Sequence, residues 1–315
     1  MSTVHYGGQA VIEGVMIRGI RNMAVAVRRP SGDILVHSEP LPAGIYNSRL
    51  GKLPLVRGLT MLWDSLILGV RALMFSADAA LEEEDVKFGG PVMWGTLIVS
   101  LAVGVGLFVV LPMVLIGMVD RYISVPLLSN LAEGLLRLLF FLSYLLIIGR
   151  LADIRRVFAY HGAEHKAVNA FEAGVSLTPK NVMGFPTAHT RCGTGFLLIV
   201  LIIFVLLSSF LGRPPLVWRL LSRLVLVPVV AALAYEFIKF TATHYDNAVV
   251  KALVAPGMWL QRLTTREPDE PMLEVSIAAL QRVLTEDGAK DGHSGTEDGQ
   301  LGSGALGTPS RCDGG

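Results

Sequence analysis

Residues 92 to 119, "VMWGTLIVSLAVGVGLFVVLPMVLIGMV", carry no charged side chain. With about 1.5 Å of rise per residue, a helix over this run outreaches the roughly 30 Å of hydrocarbon in a bilayer. A chain holding such a segment must place it in lipid, so the run is read as a spanning helix, with Pro112 marking a kink. Three further runs have the same character: Leu131 to Gly149, "GFLLIVLIIFVLLSSFL" at 195–211 and "LVLVPVVAALAYEFIKF" at 224–240. Glu133 and Arg137 enter the second at an i, i+4 spacing that lets them pair, and Glu236 lies near the end of the fourth. The composition agrees: 52% of the 315 residues are hydrophobic and 17% charged, which excludes an ordinary soluble enzyme. A net charge of +1, with the basic residues dispersed, excludes nucleic-acid binding.

The segment 53–75, "LPLVRGLTMLWDSLILGVRALMF", is also long and apolar. Its charges, Arg57, Asp64 and Arg71, recur every seven residues as one polar stripe, which suits a helix lying in the membrane interface or against the bundle. Four spans place the basic N-terminal region, the loop carrying Arg150, Arg155, Arg156, Lys166, Lys180 and Arg191, and the C-terminal region on one side. By the positive-inside rule that side is the cytoplasm. "MSTVHYGGQAVIEG" lacks a basic start followed by an apolar stretch, so no secretory signal is expected. Cys192 and Cys312 make no disulfide framework and point to a reducing compartment.

The expected fold is a mainly α-helical polytopic membrane protein of about four transmembrane helices, with a small N-terminal β-containing cytoplasmic unit and a disordered C-terminal tail. Its parts run as a β unit (1–52), an interfacial helix and acidic linker (53–91), a transmembrane hairpin (92–149), a cytoplasmic loop (150–194), a second hairpin (195–240), cytoplasmic helices (241–285) and a tail (286–315). Within the β unit, two β-prone runs flank "RPSGD" and predict a hairpin at 23–38, while Gly7, Gly8 and Gly14 are read as tight turns. Leu273, Ile277, Leu280 and Leu284 keep a helical 4-3-4 spacing and predict a helix that docks. The Gly, Ser and charge-rich tail, with His293 and Cys312, cannot bury a core.

The chemistry concentrates in the loop between the hairpins. "YHGAEHKAVNAFEAG" at 160–174 sets His161 and His165 four apart on one helix face with Glu164 between them. H-x-x-E-H is the zinc motif of the inverzincins, where the histidines bind the metal and the glutamate serves as general base. His189 and Cys192, three apart in "AHTRCGTGF", are the candidates to complete the site if the chain reverses through "GVSLTPKNVMGFP". Glu172 lies too far along the helix, about 16 Å of rise from His161. Glu236 is a further candidate, since a carboxylate beside hydrocarbon needs a partner, with Lys239 the bland choice. Each has a plain alternative: Cys192 as a small apolar residue at a helix entry, His189 as a loop histidine, the paired histidines as ordinary hydrogen-bonded residues.

"GGQAVIEGVMIRG", "YHGAEHKAVNAFEAG", "HTRCGTGFLL", "AYEFIK" and "PGMWLQRLTTREP", in that order over residues 5 to 285, resemble the bacterial DUF1385 family, also called YqhQ-like proteins. The resemblance implies no settled activity, only a general expectation of a metal-dependent membrane enzyme. Two functions compete. One is a metal-dependent hydrolase at the cytoplasmic face of the inner membrane, with a divalent metal such as zinc on His161, His165 and His189 or Cys192, and Glu164 as base. The other is a membrane scaffold that binds a protein partner through its cytoplasmic regions, any metal being structural. A transporter is weaker, because Glu133, Arg137 and Glu236 all lie near helix ends. Ligand number separates the first two: four protein ligands close a zinc tetrahedron, and three leave a position open.

Overall fold

The computed structural model describes residues 6–41, 53–80, 91–123, 125–212, 214–245 and 247–288. The acidic stretch 81–90 and the tail beyond Gly288 lie outside the described residues. The chain is mostly helical, with one small antiparallel sheet near the N-terminus.

Strands β1 (Gly7–Val11), β2 (Gly14–Arg18), β3 (Asn22–Arg28) and β4 (Ile34–Pro40) form a meander in sequential order. The expected hairpin is β3 and β4, paired from Asn22↔Pro40 to Arg28↔Ile34, with Gly32 at φ +92° in the "RPSGD" turn. Alternation along β2 and β3 sends Val15, Ile17, Ala24 and Ala26 to one face and Met16, Met23, Val25 and Val27 to the other. Both faces are buried, so the sheet is an inner layer.

Gly8 and Gly14 are not turn residues. They sit within strands, where a Cβ on Gly8 would overlap the Met16 carbonyl and one on Gly14 the Ala26 carbonyl. The β1–β2 turn instead uses Glu13, at φ 51°. That geometry presents the Glu13 carboxylate to Arg156 Nε, 2.6 Å away, and to the Tyr160 hydroxyl at 3.3 Å.

Helix α1 (Val56–Ala80) covers the second face of the sheet with Leu68, Ala72 and Ala79. Its polar stripe makes ion pairs: Arg57 pairs with Glu236, Asp64 with Arg18 at 2.6 Å and the exposed Arg71 with Glu39 at 3.5 Å. The outward side is apolar, with Trp63, Leu66 and Leu73 exposed. Glu236 therefore has Arg57 as its partner, across the molecule, in place of Lys239.

Next come α2 (Pro91–Val105), a π turn (Gly106–Val110) and α3 (Leu111–Val119), then α4 (Pro126–Ile148). Pro112 has no N–H for the carbonyl four residues back, that of Phe108, and Arg137 Nε donates to it at 2.7 Å. The anticipated kink is thus a widened turn whose free carbonyl is used elsewhere. Beyond the site helices α5 (Ala152–Glu172) and α6 (Pro179–Met183) lie α7 (Gly193–Ser209) and α8 (Leu216–Thr243). Last come α9 (Ala248–Thr264) and α10 (Glu270–Asp287).

Among the described residues, four helices are long and apolar enough to cross a membrane: Val56–Ala80, Trp94–Val119, Pro126–Ile148 and Val217–Thr243. The set differs from the sequence reading. It includes α1, while α7 is a shorter apolar helix. Helix α8 also starts earlier than the expected 224, because Arg219 and Arg223, which interrupt the apolar run, are buried inside the bundle. Arg219 NH2 pairs with Glu133, whose other oxygen takes Arg137 at 2.9 Å. Arg223 donates to the Ser208 carbonyl at 3.1 Å and reaches the Asn130 side-chain oxygen at 3.4 Å.

Helix α10 docks as its spacing predicts: Leu273, Ile277, Leu280 and Leu284 are buried against α5 and the first face of the sheet. Asp269 caps it through the Met272 N–H, 3.0 Å away, and Gly288 ends it at φ +72°. The ordered chain passes the expected boundary at 286, because Asp287 accepts from the Ile20 and Arg21 N–H groups at 2.7 and 3.0 Å. Sheet, α5 and α10 therefore share one core, with α1 as the outer cover.

Candidate metal centre

Helix α5 carries His161, Glu164 and His165 and is buried from Ala159 through Ala170 at most positions. Small residues let neighbours close in. A Cβ on Gly162 would overlap the Arg266 carbonyl, because the chain after α9 crosses the helix there and Arg266 N donates to the Phe158 carbonyl at 2.9 Å. Ala163 is fully buried, and its carbonyl accepts from Ser276 Oγ of α10 at 3.1 Å.

The reversal after α5 is real and firmly tied. Lys166 Nζ donates to the Met183 carbonyl at 2.7 Å, and the Asn169 carboxamide donates to the Pro186 and Ala188 carbonyls at 3.0 and 3.1 Å. Gln261 of α9 then receives the His189 N–H and donates to the His189 carbonyl, each at 2.9 Å. These ties deliver Cys192, the residue before α7, to the histidines.

His161 Nε2 lies 3.3 Å from Cys192 Sγ, and the His161 and His165 ring centroids are 4.4 Å apart. The three possible ligand atoms of His161, His165 and Cys192 all lie within 4.8 Å of one another. The outer nitrogens are engaged with carbonyls: His161 Nδ1 donates to Thr264 O at 2.9 Å and His165 Nδ1 to Thr187 O at 2.6 Å. With Nδ1 donating to a carbonyl, Nε2 is the nitrogen left to each ring, and that of His161 turns to Cys192. Two imidazoles and a thiol so placed fit a zinc-like ion, for which Zn–N near 2.0 Å and Zn–S near 2.3 Å imply ligand separations of roughly 3.5 Å.

Glu164 is buried, at 3% exposure, and stands outside this group of three. Its Oε1 accepts the Gly8 N–H at 2.8 Å and its Oε2 faces His165 Nε2 at 3.5 Å. A carboxylate oxygen opposite an imidazole lone pair needs a cation or a proton between them. His189 is close but turned away: its ring lies 5.7 Å from that of His165, and its Nε2 faces Glu172 Oε2 at 3.5 Å. Burial lowers the His189 pKa, with the charge of Glu164 opposing the shift. Glu172, excluded as a ligand by distance along the helix, pairs with Arg191.

Of the sequence candidates, then, His161, His165 and Cys192 converge, Glu164 stands beside them, and His189 and Glu236 do not join. Sequence reasoning missed Gln261, Asn169, the Gly8 N–H and the carbonyls of Thr187 and Thr264. Backbone groups leave no trace in a sequence, and Gln261 looks like an ordinary polar residue of an amphipathic helix.

The arrangement defines a multi-helix protein with membrane-type apolar helices and an N2S cluster on a buried helix beneath a small sheet. The profile of the family described as "Protein of unknown function (DUF1385)" matches residues 53–286, and the chain belongs to that family. It is 32% identical over 292 residues to "Uncharacterized protein YqhQ" of Bacillus subtilis (strain 168), covering 89% of this chain and 92% of that protein. No solved structure matches the chain. Neither description names a metal or a reaction.

Proposed function

We propose that the protein is a metal-dependent hydrolase working at the cytoplasmic face of the membrane, with His161, His165 and Cys192 as its protein ligands and Glu164 as general base. The observation that carries this reading is the pair of Nδ1 to carbonyl hydrogen bonds, which leaves Nε2 as the free nitrogen of each ring, that of His161 beside Cys192 and that of His165 beside Glu164. Oriented imidazoles of this kind are the usual support of a metal ligand. A bound divalent ion, zinc being the best match to the donor set, would supply Lewis acidity toward water and a carbonyl or phosphoryl oxygen. Three protein ligands leave room for that chemistry, whereas a structural zinc takes four.

The chain's own contribution is proton transfer. Glu164, its Oε1 fixed by the Gly8 N–H, uses Oε2 to accept a proton from water and return it to the leaving group, so that H and OH add across the cleaved bond. Glu164→Gln keeps the acceptor for Gly8 and removes the base. It should retain metal and fold while failing to complement a deletion strain. Full complementation by this variant, with the histidine variants dead, would instead favour the scaffold reading with a structural metal, His189 being the nearest fourth ligand.

Packing supports the orientation. Because β1 to β4, α5 and α10 share a core, the N-terminal strands, the 150–194 loop and the C-terminal helix occupy one side of any membrane. That parity requires an even number of crossings before α5. The segments 94–119 and α4 provide two, so α1, half of which lies against the sheet, runs along the interface. The outward apolar side of α1 would then rest in lipid. With the basic residues of the loop, this packing supports a multi-pass inner-membrane protein with both chain ends in the cytoplasm.

A further inference from the structure

A cavity of about 270 Å³ opens beside the centre, between α7, α8 and α9. Cys192 belongs to its lining, so the cavity and the candidate metal centre share a residue. At that end stand Thr190, Arg191 and Cys192; away from it the walls are apolar, with Ile199 and Ile202 of α7, Ile238 and Ala242 of α8, and Leu253 and Val254 of α9. The helices close beneath by direct backbone approach, since a Cβ on Gly257 would sit 3.2 Å from the Gly195 Cα.

Beside Thr190 and Tyr245, three polar side chains along these walls are already engaged. Thr241 Oγ1 donates to Ile238 O at 3.0 Å, Gln261 is held by the His189 backbone, and Arg191 pairs with Glu172. A polar solute would meet few free partners there. The rim is apolar as well: Ile202 and Leu253 are 43% and 54% exposed. Ile202 lies on α7, and on an apolar helix lying in a membrane such an opening faces lipid, so the cavity is reached from the bilayer on the α7 side.

We propose that the site acts on a membrane lipid, one acyl chain of which enters this cavity while its polar end reaches Cys192. The proposal rests on the metal-centre reading for its chemistry but not for its binding step. Ligand pockets lined chiefly by apolar groups, with a few polar groups at one end, orient an occupant in this way. The volume suits one chain and not a whole two-chain lipid, so the second chain stays in the bilayer.

The test uses full-length protein in phosphatidylethanolamine and phosphatidylglycerol vesicles doped with a phospholipid bearing a diazirine in one acyl chain. After illumination, peptide mapping should find labels concentrated on the cavity walls of α7, α8 and α9. Ala242→Trp and Val254→Trp, at exposed and half-buried positions that spare the core, should each abolish the cavity labels and leave metal content unchanged. Val225→Trp, on an exposed part of α8 away from the cavity, should leave them intact. His161→Ala should lose metal and keep the labels. Labels spread evenly over the exposed helix faces, or unchanged in both cavity variants, would overturn the proposal. Cavity labels in protein that never binds metal would sustain the lipid site while removing the hydrolase.

Discussion

Substituting Glu133 by Gln gives the sharpest physical test of the apolar helix bundle. Glu133 is 2% exposed, and its two oxygens serve Arg137, 2.9 Å away, and Arg219. Arg223 lies in the same cluster with a backbone carbonyl and Asn130 as partners. At an effective dielectric constant near 20, each close pair is worth about 4 kcal/mol before desolvation is counted. Gln retains one acceptor, worth about 1 kcal/mol, but leaves buried arginines facing one another, with the partly exposed Asp120 3.6 Å from Arg219. Removing one partner of a buried pair costs about 3–5 kcal/mol, a shift of roughly 10² to 10⁴ in the folding equilibrium. The assay is reversible denaturant titration in detergent micelles, comparing wild type, Glu133→Gln, Arg219→Gln and the double variant. The double variant should recover part of the loss, with a coupling of about 1–3 kcal/mol. A Glu133→Gln midpoint indistinguishable from wild type would refute the reasoning, because another anion would then have to neutralise the arginines.

Further expectations follow from the site and the sheet. Cys192→Ser and His165→Ala should each lower bound zinc, measured by elemental analysis of purified protein, whereas His189→Ala should retain it, since that ring stands outside the converging group. Gly8→Ala should destabilise the protein by about 1–3 kcal/mol through overlap with the Met16 carbonyl, and should disturb the Glu164 contact as well; an unchanged unfolding midpoint would contradict the strand geometry. Reporter fusions at Ser2 and after Gly288 should read cytoplasmic and fusions near Arg121 and Arg213 external. An external N-terminus with a cytoplasmic C-terminus would restore α1 as a crossing helix.

The sequence by itself determined the elements whose cause is local. The uncharged runs, the turn at "RPSGD", the 4-3-4 spacing of α10 and the i, i+4 histidines rest on period and turn chemistry, and each appears where it is expected. The heptad of Arg57, Asp64 and Arg71 also marked one face of α1, though not that this face would meet three different elements. Charges misled where they broke an apolar run. Arg219 and Arg223 read as the end of a loop, and only the fold shows Glu133 waiting in another helix. The same holds at the centre. The sequence supplied His161, His165 and Cys192, but the choice of Cys192 over His189 depends on how Gln261 and Asn169 hold the intervening chain. The tautomers depend on the carbonyls of Thr264 and Thr187, and the pose of Glu164 on a strand that begins at Gly7. Periodicity is a property of neighbours in sequence and survives in the string of letters; ligand geometry is made by residues far apart in the chain, and exists only once the core between sheet, α5 and α10 has closed.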